Sequence, residues 1–205
     1  MWRTRHTGRM SSGLIDLKPS ADRVAALLPN VEDSLLDGPT PCTDYRVREL
    51  LGHLDGLTAA FRAAADKELG PLTDTDPGDS TPILEPGWRE RVPDLLDALV
   101  VAWRKADAWT GMTRAGNFDL PGEVAGIVAL NEITLHGWDL ATATGQDYRC
   151  DDETAEILLG FVTQFTDESR GAAWGPPVAV PDDAPVFDRV LAISGRDPAW
   201  SRPGT

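Results

Sequence analysis

Glu132, His136 and Asp139 stand at i, i+4 and i+7 of one apolar run, residues 125–144, and share a face of the helix that run predicts. Their neighbours on that face are Ala125, Val128, Ala129 and Ala143. A carboxylate and an imidazole among such residues are costly unless something pairs with them. The chain has three histidines. His6 lies near the start, and His53 falls in a second helical run, between Leu50 and Leu57 and bracketed by Gly52 and Gly56. Together, His53, Glu132 and His136 make two imidazoles and one carboxylate, a set that accepts zinc, nickel, iron or manganese. Three protein ligands leave a position open for water or substrate, as catalytic metal sites do. Asp139, one turn beyond His136, is placed to accept that ring's N–H or to serve water. The competing reading is an i, i+4 surface pair with His53 as a satisfied core residue. The apolar character of the 125–144 helix on all sides argues against it, because no solvated face is left for the pair.

Four long helices position these residues. The first is expected over residues 21–36, with Ser20 as its cap and Pro29 kinking or splitting it. A proline-stiffened loop, Asp37 to Asp44, leads to the second, 45–65, capped by Thr43 or Asp44. Its two glycines each cost about 1 kcal/mol relative to alanine, so close approach of another backbone or a ligand is expected beside His53. The 70–87 stretch, rich in Asp, Thr, Pro and Gly, reads as an exposed crossover. A third helix is expected over 88–108, a loop over 111–122, and the fourth helix from Pro121 to about Ala143, with Gly145 after it. A fifth follows, capped by Asp151 or Asp152. The Trp174–Pro181 stretch is extended and covers a surface, and a short helix closes at Ile193. No strand pattern stands out. The class is all-α: a four-helix bundle over 19–145 with a helical C-terminal annex over 146–205, preceded by a leader over 1–18.

Composition excludes several functions. A formal net charge of −14 opposes a nucleic-acid backbone or an anionic membrane as partner. Two cysteines, Cys42 and Cys150, without paired spacing fit a reducing compartment, and a cytoplasmic protein is expected. Cys42 could approach the metal or a thiol, but a small buried thiol in a tight loop is the simpler reading. Trp138 could floor a pocket or serve the core. The Asp-rich crossover lacks the ligand spacing of a calcium loop. No phosphate-binding glycine loop or serine-nucleophile motif is present.

Two segments carry a family resemblance. Thr40-Pro-Cys-Thr-Asp-Tyr-Arg-Val-Arg-Glu-Leu-Leu-Gly-His53 and Glu132-Ile-Thr-Leu-His-Gly-Trp-Asp-Leu-Ala141 resemble the two ligand motifs of the mycothiol-dependent maleylpyruvate isomerase N-terminal domain. That domain is a member of the DinB-like superfamily of metal-binding bundles. The ending Arg189-Val-Leu-Ala-Ile-Ser-Gly-Arg-Asp-Pro-Ala-Trp200 resembles the close of an actinobacterial branch of that family. The resemblance spans about residues 20 to 200. It implies an up-down-down-up bundle, a divalent metal of the zinc type on His53, Glu132 and His136, and mycothiol as a thiol co-substrate. In the full isomerase a C-terminal domain supplies a basic residue to the active site. This chain's C-terminal part is short and different, and offers Arg189 and Arg196.

Two functional expectations follow. One is a metal-dependent thiol S-transferase or isomerase acting on a small electrophile, as a monomer or homodimer. The other is a non-catalytic metal- or ligand-binding module of the same fold, in which the fourth metal position would be closed or lack a pocket.

Overall fold

The computed structural model describes residues 14–76, 78, 81–165 and 174–203. The helices are α1 (Lys18–Leu27), α2 (Val47–Ala65), the single turn α3 (Pro71–Asp74), α4 (Trp88–Trp103), α5 (Gly122–Thr144), α6 (Asp152–Val162) and α7 (Val186–Ile193). A two-stranded antiparallel hairpin, β1 (Met112–Ala115) and β2 (Phe118–Pro121), precedes α5. α1 and α2 each pack on both α4 and α5, so the four long helices close a ring around one core. The expected all-α bundle is therefore observed. No helix among the described residues is long and apolar enough to cross a membrane.

Local chemistry sets the helix ends. α1 stops at Leu27, and 3-10 turns at Leu28–Asn30 and Asp33–Leu35 replace the helix expected to continue to residue 36. Pro29 has no N–H to donate back to Ala25, and that carbonyl takes the Leu28 N–H instead. Residues 1–13 of the expected leader lie outside the described residues. Leu17 is already buried in the core at the foot of α1.

α2 starts at Val47, and neither Thr43 nor Asp44 caps it. The preceding chain folds back, so the carbonyls of Gly38 and Leu36 accept the N–H groups of Val47 and Arg48 at 3.1 and 2.9 Å. Glu49 accepts the Arg46 N–H at 2.7 Å. These bonds satisfy donors that a side-chain cap would otherwise serve. The third expected helix is divided: α4 ends at Trp103 and a 3-10 turn spans Ala106–Trp109.

The hairpin corrects the loop expected over 111–122. Ala115 pairs with Phe118 across Gly116 and Asn117, both at positive φ (57° and 67°), as a two-residue hairpin turn with matching twist requires. Asn117 N–H bonds to Thr73 O at 2.9 Å and Thr113 Oγ1 to Ala64 O at 2.6 Å. These bonds fasten the hairpin to α3 and to the end of α2.

The crossover approaches α2 where the sequence asks for it. A Cβ on Gly52 would stand 2.7 Å from the Ile83 carbonyl oxygen. At Gly56 nothing lies within 4 Å, so only one of the two glycines is there for clearance. α5 is the bundle's central rod, and every residue from Ile133 to Ala141 is buried. Gly145 ends it at φ 72°, as expected. The Asp151 side chain caps α6 by accepting the Thr154 N–H at 2.8 Å. α6 packs on α5 and α7. The extended stretch from Trp174 lies against them, with Val178 N–H on Ala192 O at 2.9 Å and the Trp174 ring edge-on to Phe165.

Candidate metal centre

Facing turns of α2 and α5 bring His53, Glu132 and His136 together. Glu132 Oε2 lies 3.4 Å from His53 Nε2 and 3.3 Å from His136 Nε2. The two imidazoles meet edge to face, with centroids 4.8 Å apart. A tetrahedral cation with bonds of about 2.0–2.1 Å holds its ligand atoms about 3.3–3.4 Å apart. The carboxylate oxygen stands at that separation from each ring nitrogen, so the donor set fits a divalent metal of borderline character. Side-chain exposures of 13%, 24% and 8% for His53, Glu132 and His136 leave the site a partly open edge.

Behind His136 stands a buried ionic relay. Its Nδ1–H donates to Asp139 Oδ2 at 3.0 Å. The same oxygen accepts from Arg196 Nη2 at 3.0 Å, while Arg196 Nε reaches Oδ1 at 3.3 Å. Asp139 has no exposed surface and Arg196 only 7%. With Nδ1 occupied in this way, Nε2 is the nitrogen that faces Glu132, an orientation of the kind that outer partners impose on metal-binding histidines.

Arg196 reaches this position through a Schellman ending of α7. Gly195 N–H bonds to Ala192 O at 3.1 Å and Arg196 N–H to Leu191 O at 2.9 Å. Gly195 holds φ 78°, and a Cβ there would stand 2.9 Å from the Gly175 backbone. Sequence reasoning noted Arg196 only as an available arginine. The Ser-Gly-Arg run does signal a helix end, but not that the guanidinium turns inward.

Burial and pairing set the charges. Burial lowers His53 below its ordinary value and outweighs the hydrogen bond to Glu132. For Glu132, burial acts upward, but the hydrogen bonds to His136 and His53 prevail and hold the carboxyl well below the usual range. For His136 burial acts downward and is overcome by Asp139 and Glu132, so this ring is raised. Asp139 is lowered despite burial, chiefly by the Arg196 charge.

Cys42 Sγ forms a second potential donor cluster with His136 and Asp139. Both Asp139 oxygens there already bind Arg196, and a cation would have to sit beside that guanidinium. Burial pushes the Cys42 thiol up to about 11 and the Cys150 thiol up to about 12. Trp138, on the same helix, is buried in the core cluster, and Arg189 is not part of this centre.

The fold and centre define a helical bundle with a two-histidine, one-carboxylate cluster between its second and last long helices. The sequence profile of the mycothiol maleylpyruvate isomerase N-terminal domain matches residues 17–141. Two curated relatives, both uncharacterized proteins from strains of Mycobacterium tuberculosis, are 33% identical over 193 residues, covering 85% of this chain and 92% of theirs. The chain belongs to the mycothiol maleylpyruvate isomerase N-terminal domain family. A crystal structure of the mycothiol-dependent maleylpyruvate isomerase with one histidine-to-alanine substitution aligns at TM-score 0.51 and 18% identity, over 88% of this chain and 79% of that one. The two share the all-α, DinB-like fold. The crystal structure of the isomerase without that substitution aligns over 72% of this chain at TM-score 0.48 and 18% identity. There this chain spans 66% of the other's length.

Proposed function

We propose that this protein is a metal-dependent enzyme that uses a low-molecular-weight thiol of the mycothiol type, as an S-transferase or isomerase acting on a small electrophile. The observation that supports the reading is the placement of Glu132 Oε2 3.4 Å from His53 Nε2 and 3.3 Å from His136 Nε2, the separation of ligand atoms on a tetrahedral cation. These three residues would hold a divalent cation such as zinc. Such a cation, when bound, supplies a Lewis acid that lowers the pKa of a coordinating thiol.

The chain's own residues prepare the site. Asp139 accepts the His136 Nδ1–H and turns Nε2 toward Glu132, where a bound cation would take its lone pair. Arg196 offsets the Asp139 charge, so Glu132 supplies the site's one unbalanced negative charge. Neither cysteine is an activated nucleophile, since burial holds both thiols in their protonated form at neutral pH. The sulfur must then come from outside the chain, which agrees with the thiol named by the family. The reading takes residues 19–205 as one domain, working in the reducing cytoplasm as a monomer or homodimer, without a nucleic-acid or membrane partner.

Metal analysis tests it. Purified protein should carry one divalent ion per chain, His136→Ala should lose it, and conjugation of a small thiol to an electrophile should stop on chelation. Equal metal content in both proteins would refute the reading.

A further inference from the structure

Tyr45 is not one of the three donors, yet it touches the site more closely than any other aromatic ring among the described residues. Its ring centroid lies 4.9 Å from His53, with the planes tilted by 32°, and 6.3 Å from His136. It is half-buried. The loop that carries it is held firmly. The Thr40 hydroxyl is shared between the carbonyls of Cys42 and Tyr45, at 2.8 Å each. Pro39 and Arg46 pair across the loop, and Glu49 fixes the Arg46 N–H. A phenol is a planar apolar surface with one strong donor at its end.

We infer that Tyr45 forms the substrate-side wall of this centre and donates its O–H to the carbonyl oxygen of a conjugated carbonyl electrophile. The inference rests on the thiol-enzyme reading above and adds to that site a residue outside its three donors. As the thiolate sulfur bonds to the β carbon, the C=C π pair moves through the conjugated system onto the carbonyl oxygen. Tyr45 O–H hydrogen-bonds that oxygen and keeps its own proton. The proton earlier released by the thiol returns from solvent to the α carbon. A donor aimed at developing oxyanion charge favours the transition state over the bound substrate.

The test compares wild type with Tyr45→Phe and Tyr45→Ala, each loaded with zinc and assayed for metal content. N-acetylcysteine is the thiol. N-ethylmaleimide is the conjugated carbonyl electrophile, and a simple alkyl bromide is the electrophile without one. N-ethylsuccinimide, which cannot add a thiol, reports carbonyl binding by calorimetry. Tyr45→Phe is expected to keep full metal content, to weaken N-ethylsuccinimide binding several-fold, and to lower the maleimide kcat about 10- to 100-fold. Its rate with the alkyl bromide should stay within about twofold of wild type, because no oxyanion forms there. Tyr45→Ala should further raise KM for both electrophiles by removing the wall. Equal losses with both electrophiles, or unchanged N-ethylsuccinimide binding in Tyr45→Phe, overturn the inference while the thiol-enzyme reading stands. Absence of zinc-dependent conjugation in wild type overturns both.

Discussion

Replacing Arg196 with methionine separates what the annex does for the fold from what it does for the site. The arginine makes three hydrogen bonds, two to Asp139 at 3.3 and 3.0 Å and one to the Ser194 carbonyl at 2.9 Å. Without it, a carboxylate with no exposed surface keeps His136 as its one charge-compensating partner. Breaking a buried pair from one side costs about 3–5 kcal/mol. For a domain of this size each kcal/mol lowers Tm by about 2–4 °C, so Arg196→Met should melt about 6–20 °C below wild type. The double variant Arg196→Met, Asp139→Leu exchanges the pair for apolar side chains, a change that is often neutral or stabilising, and most of the lost Tm should return. Zinc binding should not return with it, because His136 then lacks the acceptor that holds its Nδ1–H. The affinity of the double variant should remain about 10- to 100-fold below wild type. Thermal denaturation of metal-free protein gives the first quantity and titration against a competing chelator gives the second. The reasoning fails if the single variant melts within about 2 °C of wild type, or if the double variant binds zinc as tightly as wild type.

Three further outcomes are expected. Gly52→Ala should destabilise by about 1–3 kcal/mol, because its Cβ meets the Ile83 backbone. Gly56→Ala, with open space around it, should stabilise by about 0.5–1 kcal/mol, and urea denaturation compares the two. Cys42 and Cys150, pushed up to about 11 and about 12, should resist an aromatic disulfide reagent at neutral pH and react fully once the chain is unfolded. Rapid labelling of the native protein would contradict the upward shift of both thiols. Asp66 is held below its ordinary 3.8, chiefly by its hydrogen bond to Lys105, and it pairs with Lys105 at 2.7 Å and Arg62 at 3.2 Å. A lowered carboxylate stabilises above its ordinary pKa and loses that contribution as pH falls through the lowered one. Asp66→Asn should therefore cost at most about 1 kcal/mol at neutral pH. Stability curves for the two proteins should converge below pH 3.8.

The parts legible in the sequence were those governed by local period. Apolar spacing marked the four long helices, and Glu132 and His136 declared themselves because a helix with no polar face carried both. His53 could be joined to them because two imidazoles and one carboxylate make a divalent-metal set; the clearance at its neighbour Gly52 serves the Ile83 backbone instead. What stayed hidden depends on chain segments meeting across distance. The cap of α2 is supplied by the carbonyls of Leu36 and Gly38, so no capping side chain announces its start. The hairpin's signal was the Gly116-Asn117 pair, but its strands of four residues each are too short to alternate convincingly. Arg196 lies 57 residues beyond Asp139. Its type gave no clue, since arginines are mostly exposed.

That separation along the chain has a consequence during synthesis. At about 5–20 residues per second, a ribosome delivers Arg196 about 3–11 s after Asp139. In that interval the four bundle helices are complete, but burying α5 would seal in a carboxylate with His136 as its one charge-compensating partner. The nascent bundle is thus penalised for closing before the segment that carries Arg196 arrives. A chain cut short after α5 would keep that penalty, and should open to proteases more often than the chain that carries Arg196. The buried arginine thus couples closure of the core around α5 to arrival of the segment that follows α7.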